Sequence, residues 1–422
     1  MLTLKPLVTR ARKYGARHQP LYLGSAMLFF WAVFDGIISF IAPLLIVGEG
    51  FSETQMGLII GTSSLAGMIF DFFLCRVLKN TNFRRIYLLL LLLCVIQPLI
   101  LWQAKSAWLF ILAMIIWGLY YDLSNIGDFD FVVRIAKKAE HAASFGVLRV
   151  FIALGYLLAP LIVGLVIFEE TVGFSAFALA WLFLGLAIIL FGALWWQTRG
   201  KNHRDLKFAG CGPQNFLTEF YLWKKIGNYI LPVLVLTFML NIIDAFFWTI
   251  GPLVSESLSA FGVFGSLFMV AYTLPSLFAG WFVGNLAHKL GQKRTAFLAL
   301  FFGALILSLM GLTANPGLMV AISFFASFFI SFSAPAICGA YADYIAENPA
   351  VEKDIEAMQD SFTNLGFIIG PVLAGFASQH LGHGLTFSLL GLLSAAAALL
   401  LLKFTPKKIN LAVKVKNLKL KI

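Results

Sequence analysis

The chain has 422 residues, of which 60% are hydrophobic and only 12% are charged. Soluble domains carry about twice that charged fraction, so an ordinary water-soluble protein is excluded. The formal net charge is +11, yet the basic residues lie in short stretches between apolar runs, which argues against a nucleic-acid-binding surface. The composition indicates a membrane protein with many spans.

Twelve apolar runs follow one another along the chain, and each is long enough to cross a bilayer as a helix. None shows the ten-residue alternation of an outer-membrane barrel. We therefore predict an all-α membrane protein with twelve transmembrane helices. The runs lie at roughly 21–48, 56–78, 86–104, 107–133, 145–168, 173–197, 228–254, 261–287, 295–313, 317–346, 361–380 and 384–403.

The distribution of Lys and Arg predicts the orientation. If both termini are cytoplasmic, Lys105 is the only one of 31 basic residues in an outer loop. The chain has no Asn-x-Ser/Thr sequon, which suits a bacterial inner membrane. No CxxC pair occurs among Cys75, Cys94, Cys211 and Cys338, so neither disulfides nor a metal site are expected, and no cofactor is expected either.

The chain contains an internal repeat. The stretch FDGIISFIAPLL (34–45) matches IDAFFWTIGPLV (243–254) at an offset of 209, and GYLLAPLIVG (155–164) matches GFIIGPVLAG (366–375) at an offset of 211. We predict two six-helix halves, 1–197 and 228–422, the second with a basic tail, joined by a cytoplasmic linker at 198–227. Six spans per half give both halves the same orientation, with substrate handled at their interface near mid-membrane.

The repeated glycines and prolines are expected to act in helix packing. Glycines spaced by four let helix backbones approach closely, and a proline inside a span kinks its helix. The packing residues predicted on this basis are Gly155, Pro160, Gly164, Gly366, Gly370, Pro371 and Gly375.

Twelve spans in two halves with a long central loop resemble the major facilitator superfamily. The stretch GNLAHKLGQKR (284–294) is similar to the family's inner-loop motif, with His288 where the family usually has Asp. The equivalent CRVLKNTNFRR (75–85) keeps only Arg84 and Arg85. In span 5, Gly146, Gly155, Ala159-Pro160 and Gly164 resemble the antiporter motif of this superfamily, although Ala159 and Val163 replace two of its glycines.

The resemblance implies a twelve-helix secondary carrier. It also implies a gating role for the inner-loop residues, although such residues often only pack helices and set topology. The predicted inner-gate and motif residues are Arg84, Arg85, Asp130, Arg134, Arg149, Gly284, His288, Lys289, Gly291, Lys293, Arg294 and Asp343.

Seven aspartates lie within the predicted spans, namely Asp35, Asp71, Asp122, Asp128, Asp130, Asp244 and Asp343. Only Arg149 among the basic residues lies well inside a span, and one arginine cannot neutralise seven carboxylates. Such groups face water, find a partner or bind a proton. We therefore predict proton coupling through Asp35, Asp122 and Asp71, with pairing to Arg149 left open for Asp71.

Substrate contacts are predicted from the spans that line the cavity of this superfamily, namely spans 1, 4, 7 and 10. Asp35 is expected to face a water-filled cavity, with Gly36 and Ser39 leaving room for water. Asp244, beside three aromatic residues, is expected to be in a drier setting. The predicted substrate-binding residues are Trp31, Ser39, Trp117, Tyr121, Asn125, Asn241, Asp244, Trp248 and Tyr341.

Two functions remain open at this point. The first is a proton-coupled antiporter that exports an amphipathic or cationic molecule, because aromatic walls and carboxylates suit cations. The second is a proton- or sodium-coupled symporter that imports a sugar or another polar nutrient. An enzyme is not expected, because the chain carries no HExxH, GxSxG or GxxxxGK[ST] motif. The expected partners are a small-molecule substrate, the coupling ion and membrane lipids, and the protein is expected to be a monomer.

Overall fold

The computed structural model describes residues 5–77, 81–137, 140–167, 173–199, 216–347 and 352–404. These residues form thirteen α-helices. In chain order they are α1 (Lys5–Gly48), α2 (Glu53–Val77), α3 (Phe83–Gln103), α4 (Ala107–Ile135), α5 (His141–Ile167), α6 (Phe174–Thr198), α7 (Phe216–Ser259), α8 (Phe264–Thr273), α9 (Ser276–Leu290), α10 (Gln292–Leu307), α11 (Pro316–Glu347), α12 (Glu352–Leu381) and α13 (His383–Phe404).

Every predicted span coincides with a helix or, for span 8, with the pair α8 and α9. Ten of the described helices are long and apolar enough to cross a membrane, and the bent pair makes an eleventh. The 25-residue helix α2 occupies the remaining predicted span. The predicted all-α membrane fold is confirmed.

Local chemistry sets several helix boundaries. Asn82 caps α3, because its side chain accepts a hydrogen bond from the backbone N–H of Arg85. Pro275 stands between α8 and α9 and cannot continue the backbone hydrogen bonds of α8. Gly291 adopts a φ of 85° where α9 ends and α10 begins, a conformation that favours glycine.

The described residues fall into two compact units. One lies within Met1–Phe40 and Ile69–Cys211, and the other within Ile41–Met68 and Gly212–Ile422. The segment 41–68, which belongs to the first half by sequence, therefore packs in the second unit. Helix α7 begins inside the predicted linker 198–227, whereas 200–215 and the basic tail from 405 onward lie outside the described residues.

The internal repeat is visible in helix packing as well as in sequence. Gly155 of α5 lies against the backbone oxygen of Phe29 and the side chain of Ala32 in α1. Gly366 of α12 lies in the same way against the backbone oxygen of Phe238 and the side chain of Asn241 in α7. The contacted residues are 209 positions apart, as in the sequence repeat. Each half thus packs its first and fifth helices through an equivalent glycine.

A second contact between these helices pairs a glycine with an alanine, and the glycine lies on a different helix in each half. In the first half Gly36 of α1 faces Ala159 of α5, where an added Cβ on Gly36 would come within 2.6 Å of the Ala159 Cβ. In the second half Gly370 of α12 faces Ala245 of α7, with a corresponding distance of 2.5 Å. Each contact has room for only one methyl group, and the two halves place it on opposite helices.

Candidate functional site

Asp35 lies at the centre of a buried hydrogen-bond network in the first unit. Its side chain is 1% exposed. Oδ1 accepts hydrogen bonds from Trp117 Nε1 at 3.0 Å and Tyr120 OH at 2.6 Å, and Oδ2 accepts one from Tyr156 OH at 2.7 Å. Among the ion pairs of the described residues, none includes Asp35. The carboxylate is held by neutral donors from two helices.

Sequence spacing brings these donors together. Trp117 and Tyr120 are three residues apart in α4 and therefore share a helix face. Gly36, next to Asp35, allows α5 to approach α1 closely at Ala159. Tyr156 lies one turn before Ala159, so this approach places its hydroxyl beside Asp35.

The expectation that Asp35 faces a water-filled cavity does not match this geometry, because aromatic side chains of α4 and α5 occupy the space around the carboxylate. Ser39 donates its hydroxyl to the backbone oxygen of Asp35 at 2.8 Å instead of opening a water path. Trp31 is 2% exposed and packs edge-on against Tyr120. In this conformation Trp31 and Ser39 belong to the protein interior.

Asp244 occupies the equivalent position in the second unit but is only partly buried. Its Oδ1 accepts a hydrogen bond from Tyr272 OH at 2.6 Å, and Trp248 provides a second side-chain hydrogen bond. The Tyr272 ring stacks on Phe247 with a centroid distance of 3.8 Å. The expected difference in exposure is therefore wrong: Asp244 is the more accessible carboxylate. Asp35 accepts hydrogen bonds from two neighbouring helices, α4 and α5. Asp244 accepts one from a neighbouring helix, α8, and one from Trp248 in α7, the helix that contains Asp244.

Two further predicted substrate residues take part in contacts between helices of the second unit. The hydroxyl of Tyr341, which is 2% exposed, lies 2.8 Å from Thr237 Oγ1. Asn241 Nδ2 donates to the backbone oxygen of Thr237 at 2.7 Å and to Thr363 Oγ1 at 3.5 Å. These bonds join α7 to α11 and α12, one to two turns from Asp244.

Tyr121, another mid-membrane candidate, interacts electrostatically with the Asp35 donor Tyr156. Tyr121 and Asn125 are exposed on α4, and Asp122 is partly exposed. Tyr121 and Asn125 follow the Asp35 donor Trp117 at one-turn spacing along α4. Asp71 lies in α2, but its side chain is outside the described set.

A second carboxylate cluster lies near the end of α4. Asp128 is buried, accepts a hydrogen bond from Tyr87 OH at 2.9 Å and interacts electrostatically with Arg149. Asp130 accepts from the backbone N–H of Phe83 at 2.7 Å and forms the predicted i,i+4 pair with Arg134. Asp130 therefore stabilises the first turn of α3, which is electrostatically favourable for a carboxylate.

The motif residues lie mostly at exposed helix ends. Arg84 donates two hydrogen bonds to Thr198. Its Nε donates to Oγ1 at 2.9 Å, and its Nη2 donates to the backbone oxygen. Lys293 Nζ lies 4.4 Å from the Tyr344 ring centroid and interacts electrostatically with Glu347 and Asp343. The exposed members of the set are Arg85, Arg149, Gly284, His288, Lys289, Gly291, Arg294 and Asp343.

Several of the predicted glycines and prolines lie inside helices or at close contacts between two helices. Pro160 and Pro371 lie inside α5 and α12. Gly57 of α2 packs against the backbone oxygen of Pro371, and Gly375 packs against the backbone oxygen of Glu53. Gly164 is buried in α5. The α2–α12 contact lies wholly within the second unit.

Sequence reasoning missed the tyrosines. Tyr120, Tyr156 and Tyr272 donate to the two repeat-related aspartates, but none was selected from sequence. A usable signal was present for Tyr120, which is three residues from Trp117, and for Tyr156, which is adjacent to the packing glycine Gly155. In the part of the chain that the structure describes, no group of three His, Cys, Asp or Glu side chains could hold a metal ion.

Comparison with protein families supplies a match over nearly the whole chain. The family model described as Major Facilitator Superfamily matches residues 23–249 and 233–419. A comparison with curated protein sequences finds no significant match.

Solved structures with the same fold include several transporters. The nucleoside transporter NupG is 14% identical with a TM-score of 0.72, covering 93% of this chain and 99% of its own. A bacterial homologue of the human lysosomal transporter Spinster, in an inward-facing and unoccupied conformation, is 13% identical with a TM-score of 0.68, covering 91% and 96%. A peptide transporter POT in complex with sulfate is 16% identical with a TM-score of 0.71, covering 92% and 94%. At these identities the likeness concerns the fold alone.

Proposed function

Because the chain belongs to the major facilitator superfamily, we propose that it is a proton-coupled antiporter that exports a small amphipathic or cationic molecule. As a member of this family it is a multi-pass secondary transporter and not an enzyme. The proton coupling, the direction of transport and the class of substrate are the proposal. In it, Asp35 binds the coupling proton and Asp244 contacts the substrate.

The observation that carries this proposal is the buried Asp35 carboxylate, which has three neutral donors and no described cationic partner. A carboxylate in a membrane interior is tolerated when it has donors, a cation or a proton. Protonation of Asp35 removes its charge and weakens the bonds from Tyr120 and Tyr156, which come from two different helices. Proton binding thereby changes how α1 is held against α4 and α5.

Asp244 supports a cationic substrate. Its carboxylate is partly exposed and accepts hydrogen bonds from Tyr272 and Trp248, and the Phe247 ring stacks on that of Tyr272. An organic cation gains from both a carboxylate and aromatic faces, and a desolvated cation–π contact contributes about 2 kcal/mol. In this proposal the enclosed Asp35 has room for a proton only, whereas an organic molecule needs the partly exposed position of Asp244.

A symporter that imports a polar nutrient is the second candidate. The exposed Tyr121 and Asn125 on α4 favour it, because phenol and amide groups suit a ligand rich in hydroxyl groups. A fold neighbour, NupG, is described as a nucleoside transporter. The direction of proton movement relative to substrate distinguishes symport from antiport.

We also propose that the protein lies in a bacterial inner membrane with both termini and the linker 198–227 in the cytoplasm. The basic residues on the proposed inner side support this orientation. The protein is proposed to act as a monomer, since each half supplies a carboxylate of its own.

Proton movement in proteoliposomes tests the proposal. Vesicles that contain the protein and an internal pH dye receive either ethidium, an aromatic cation, or uridine, a neutral polar solute. Entry of ethidium should drive protons out and raise the internal pH. Asp35→Asn should remove this proton movement, because the amide cannot release a proton.

The matched control is Glu256→Gln, which makes the same carboxylate-to-amide change at an exposed position near the end of α7. It should behave as the unmodified protein. Uridine entry accompanied by a fall in internal pH would favour the symporter instead. Unchanged ethidium-driven proton movement in Asp35→Asn would contradict the assignment of Asp35.

A further inference from the structure

A polar cluster joins the N-terminal end of α2 to α12 and α13 within the second unit. His383 Nε2 lies 3.2 Å from Glu53 Oε1. The backbone N–H of Thr54 donates to Gln379 Oε1 at 3.2 Å. The buried hydroxyl of Ser378 lies beside the same carboxylate. We call Glu53, Thr54, Ser378, Gln379 and His383 the α2 latch.

The backbones beneath the α2 latch are in close contact. Gly375 packs against the backbone oxygen of Glu53, and Gly57 packs against the backbone oxygen of Pro371. Small residues at such a crossing let the two helix backbones approach closely. The latch side chains are therefore positioned to stabilise the joined arrangement at the end of the crossing.

We propose that the α2 latch is a proton-binding site, separate from Asp35 and Asp244, whose protonation at His383 holds α2 against α12 and α13. By sequence α2 belongs to the first half, whereas α12 and α13 belong to the second. The inference rests on the proposed transport function in one respect, namely that the contacts of the α2 latch must separate when the transporter opens at the end of the helices where the latch lies.

The other titratable groups near the pair leave His383 as the switch. His380 on α12 is exposed and its ring lies 4.6 Å from that of Phe376. Glu49, at the end of α1, is exposed. Glu53 of α2 is the acidic partner, and the described residues place no Lys or Arg in an ion pair with it.

The pH range follows from the two partners. Burial acts to raise the pKa of Glu53, but the hydrogen bond and the charge of His383, with the Ser378 hydroxyl nearby, bring it below its ordinary value of 4.5. Because the pKa of Glu53 is depressed, its stabilising contribution is present above that ordinary value and is lost as the pH falls through the lowered value. Histidine is the side chain whose charge changes in the range from about pH 5 to 8. The pair therefore has both charges on the acidic side of neutrality and only the carboxylate charge at alkaline pH.

Hydrogen exchange at the Thr54 amide tests the proposal without any substrate. This amide is in the first turn of α2 and has Gln379 as its acceptor, so its protection reports the α2–α12 contact. After correction for intrinsic exchange rates, its protection should be about threefold greater at pH 5.5 than at pH 8.0, the size expected for one partly exposed ion pair.

Two variants and a matched control complete the experiment. His383→Gln and Glu53→Gln should each remove the pH dependence, and the double variant should equal either single variant. His380→Gln changes an exposed histidine three residues away and should keep the full pH dependence. Equal protection at both pH values in the unmodified protein, or pH dependence that survives in His383→Gln, would overturn the proposal.

The unmodified protein alone decides the matter if a variant does not fold, because its own protection must change between pH 5.5 and 8.0. The measurement is also independent of the antiport assay. Loss of coupled transport in the proposed function would leave the exchange result unaffected. Failure of the α2 latch would likewise leave the roles of Asp35 and Asp244 intact.

Discussion

Asp35 and Asp244 occupy equivalent positions in the repeat but have different surroundings. Asp35 is enclosed and accepts hydrogen bonds from three side chains of α4 and α5. Asp244 is partly exposed and accepts hydrogen bonds from Tyr272 and from Trp248 of its own helix. The same carboxylate is thus enclosed in one half and partly exposed in the other.

This difference predicts separate effects of two substitutions on ligand binding. Asp244→Asn should weaken ethidium binding by about 30-fold, which corresponds to the loss of roughly 2 kcal/mol from an interaction with a charged carboxylate. Asp35→Asn should change ethidium affinity less than threefold, because its carboxylate is enclosed. Fluorescence titration of the purified variants with ethidium measures both. Asp244→Glu, which keeps the charge, should recover part of the affinity.

Equal losses of affinity in the two asparagine variants would contradict the separation of roles. Uridine provides the comparison ligand for the same titration. A neutral solute gains no charge interaction from Asp244, so its affinity should depend less on this substitution than that of ethidium.

At the scale of helices, the first and fifth helices of each half share a contact between one glycine and one alanine. Gly36 and Ala159 meet in the first half, and Ala245 and Gly370 meet in the second. A second methyl group at either contact forces neighbouring backbones apart. In the first half that displacement would also move Tyr156 away from Asp35.

Because glycine and alanine trade places between the two halves, a second substitution should compensate for the first. Gly36→Ala should lower the thermal unfolding temperature, because overpacking a tight contact costs about 1 to 3 kcal/mol. Adding Ala159→Gly should restore most of the loss, since the double variant reproduces the arrangement of Ala245 and Gly370. Thermal unfolding in detergent measures the two single variants and the double variant as a cycle.

Gly185→Ala is the control for this cycle, because an added Cβ at Gly185 meets nothing within 4 Å. It should leave the unfolding temperature unchanged or raise it slightly, because alanine is the better helix former. If the double variant were as unstable as Gly36→Ala, the two methyl groups would not compete for one space and the packing argument would fail.

The helices themselves were predictable from sequence because each must present about 20 apolar residues to lipid. The contacts of the site were less predictable. Trp31, one turn from Asp35, fits equally well on a cavity wall or in the interior, and only the approach of α4 places it against Tyr120. The donor Tyr156 comes from a helix 121 residues further along the chain, and Tyr272 comes from the next helix, α8. Periodicity within one helix carries no information on which neighbour covers which face.

At the scale of the whole molecule, the sequence halves and the compact units do not coincide. Segment 41–68 belongs to the first half by sequence but packs in the second unit. Its α2 portion contacts α12 through Gly57 and Gly375. A repeat in sequence identifies equivalent helices, but side-chain packing decides which of them associate in a given conformation.

The charge distribution of the chain predicts its orientation in the membrane. Lys105 is exposed in the short connection between α3 and α4, and Arg85 is exposed in the first turn of α3. The two residues lie at opposite ends of one helix of 21 residues, so they should face opposite sides of the bilayer. The positive-inside rule places Arg85, with its neighbour Arg84, in the cytoplasm.

Single cysteines at these two positions, in a chain without its four native cysteines, test the orientation in intact cells. A thiol reagent that does not cross membranes should label Lys105→Cys directly, and should label Arg85→Cys only after the cells are permeabilised. Labelling of both after permeabilisation controls for expression and accessibility. Direct labelling at position 85 with protection at 105 would reverse the proposed orientation. It would also place the α2 latch on the cytoplasmic side, because α2 begins on the same side of the membrane as the α3–α4 connection.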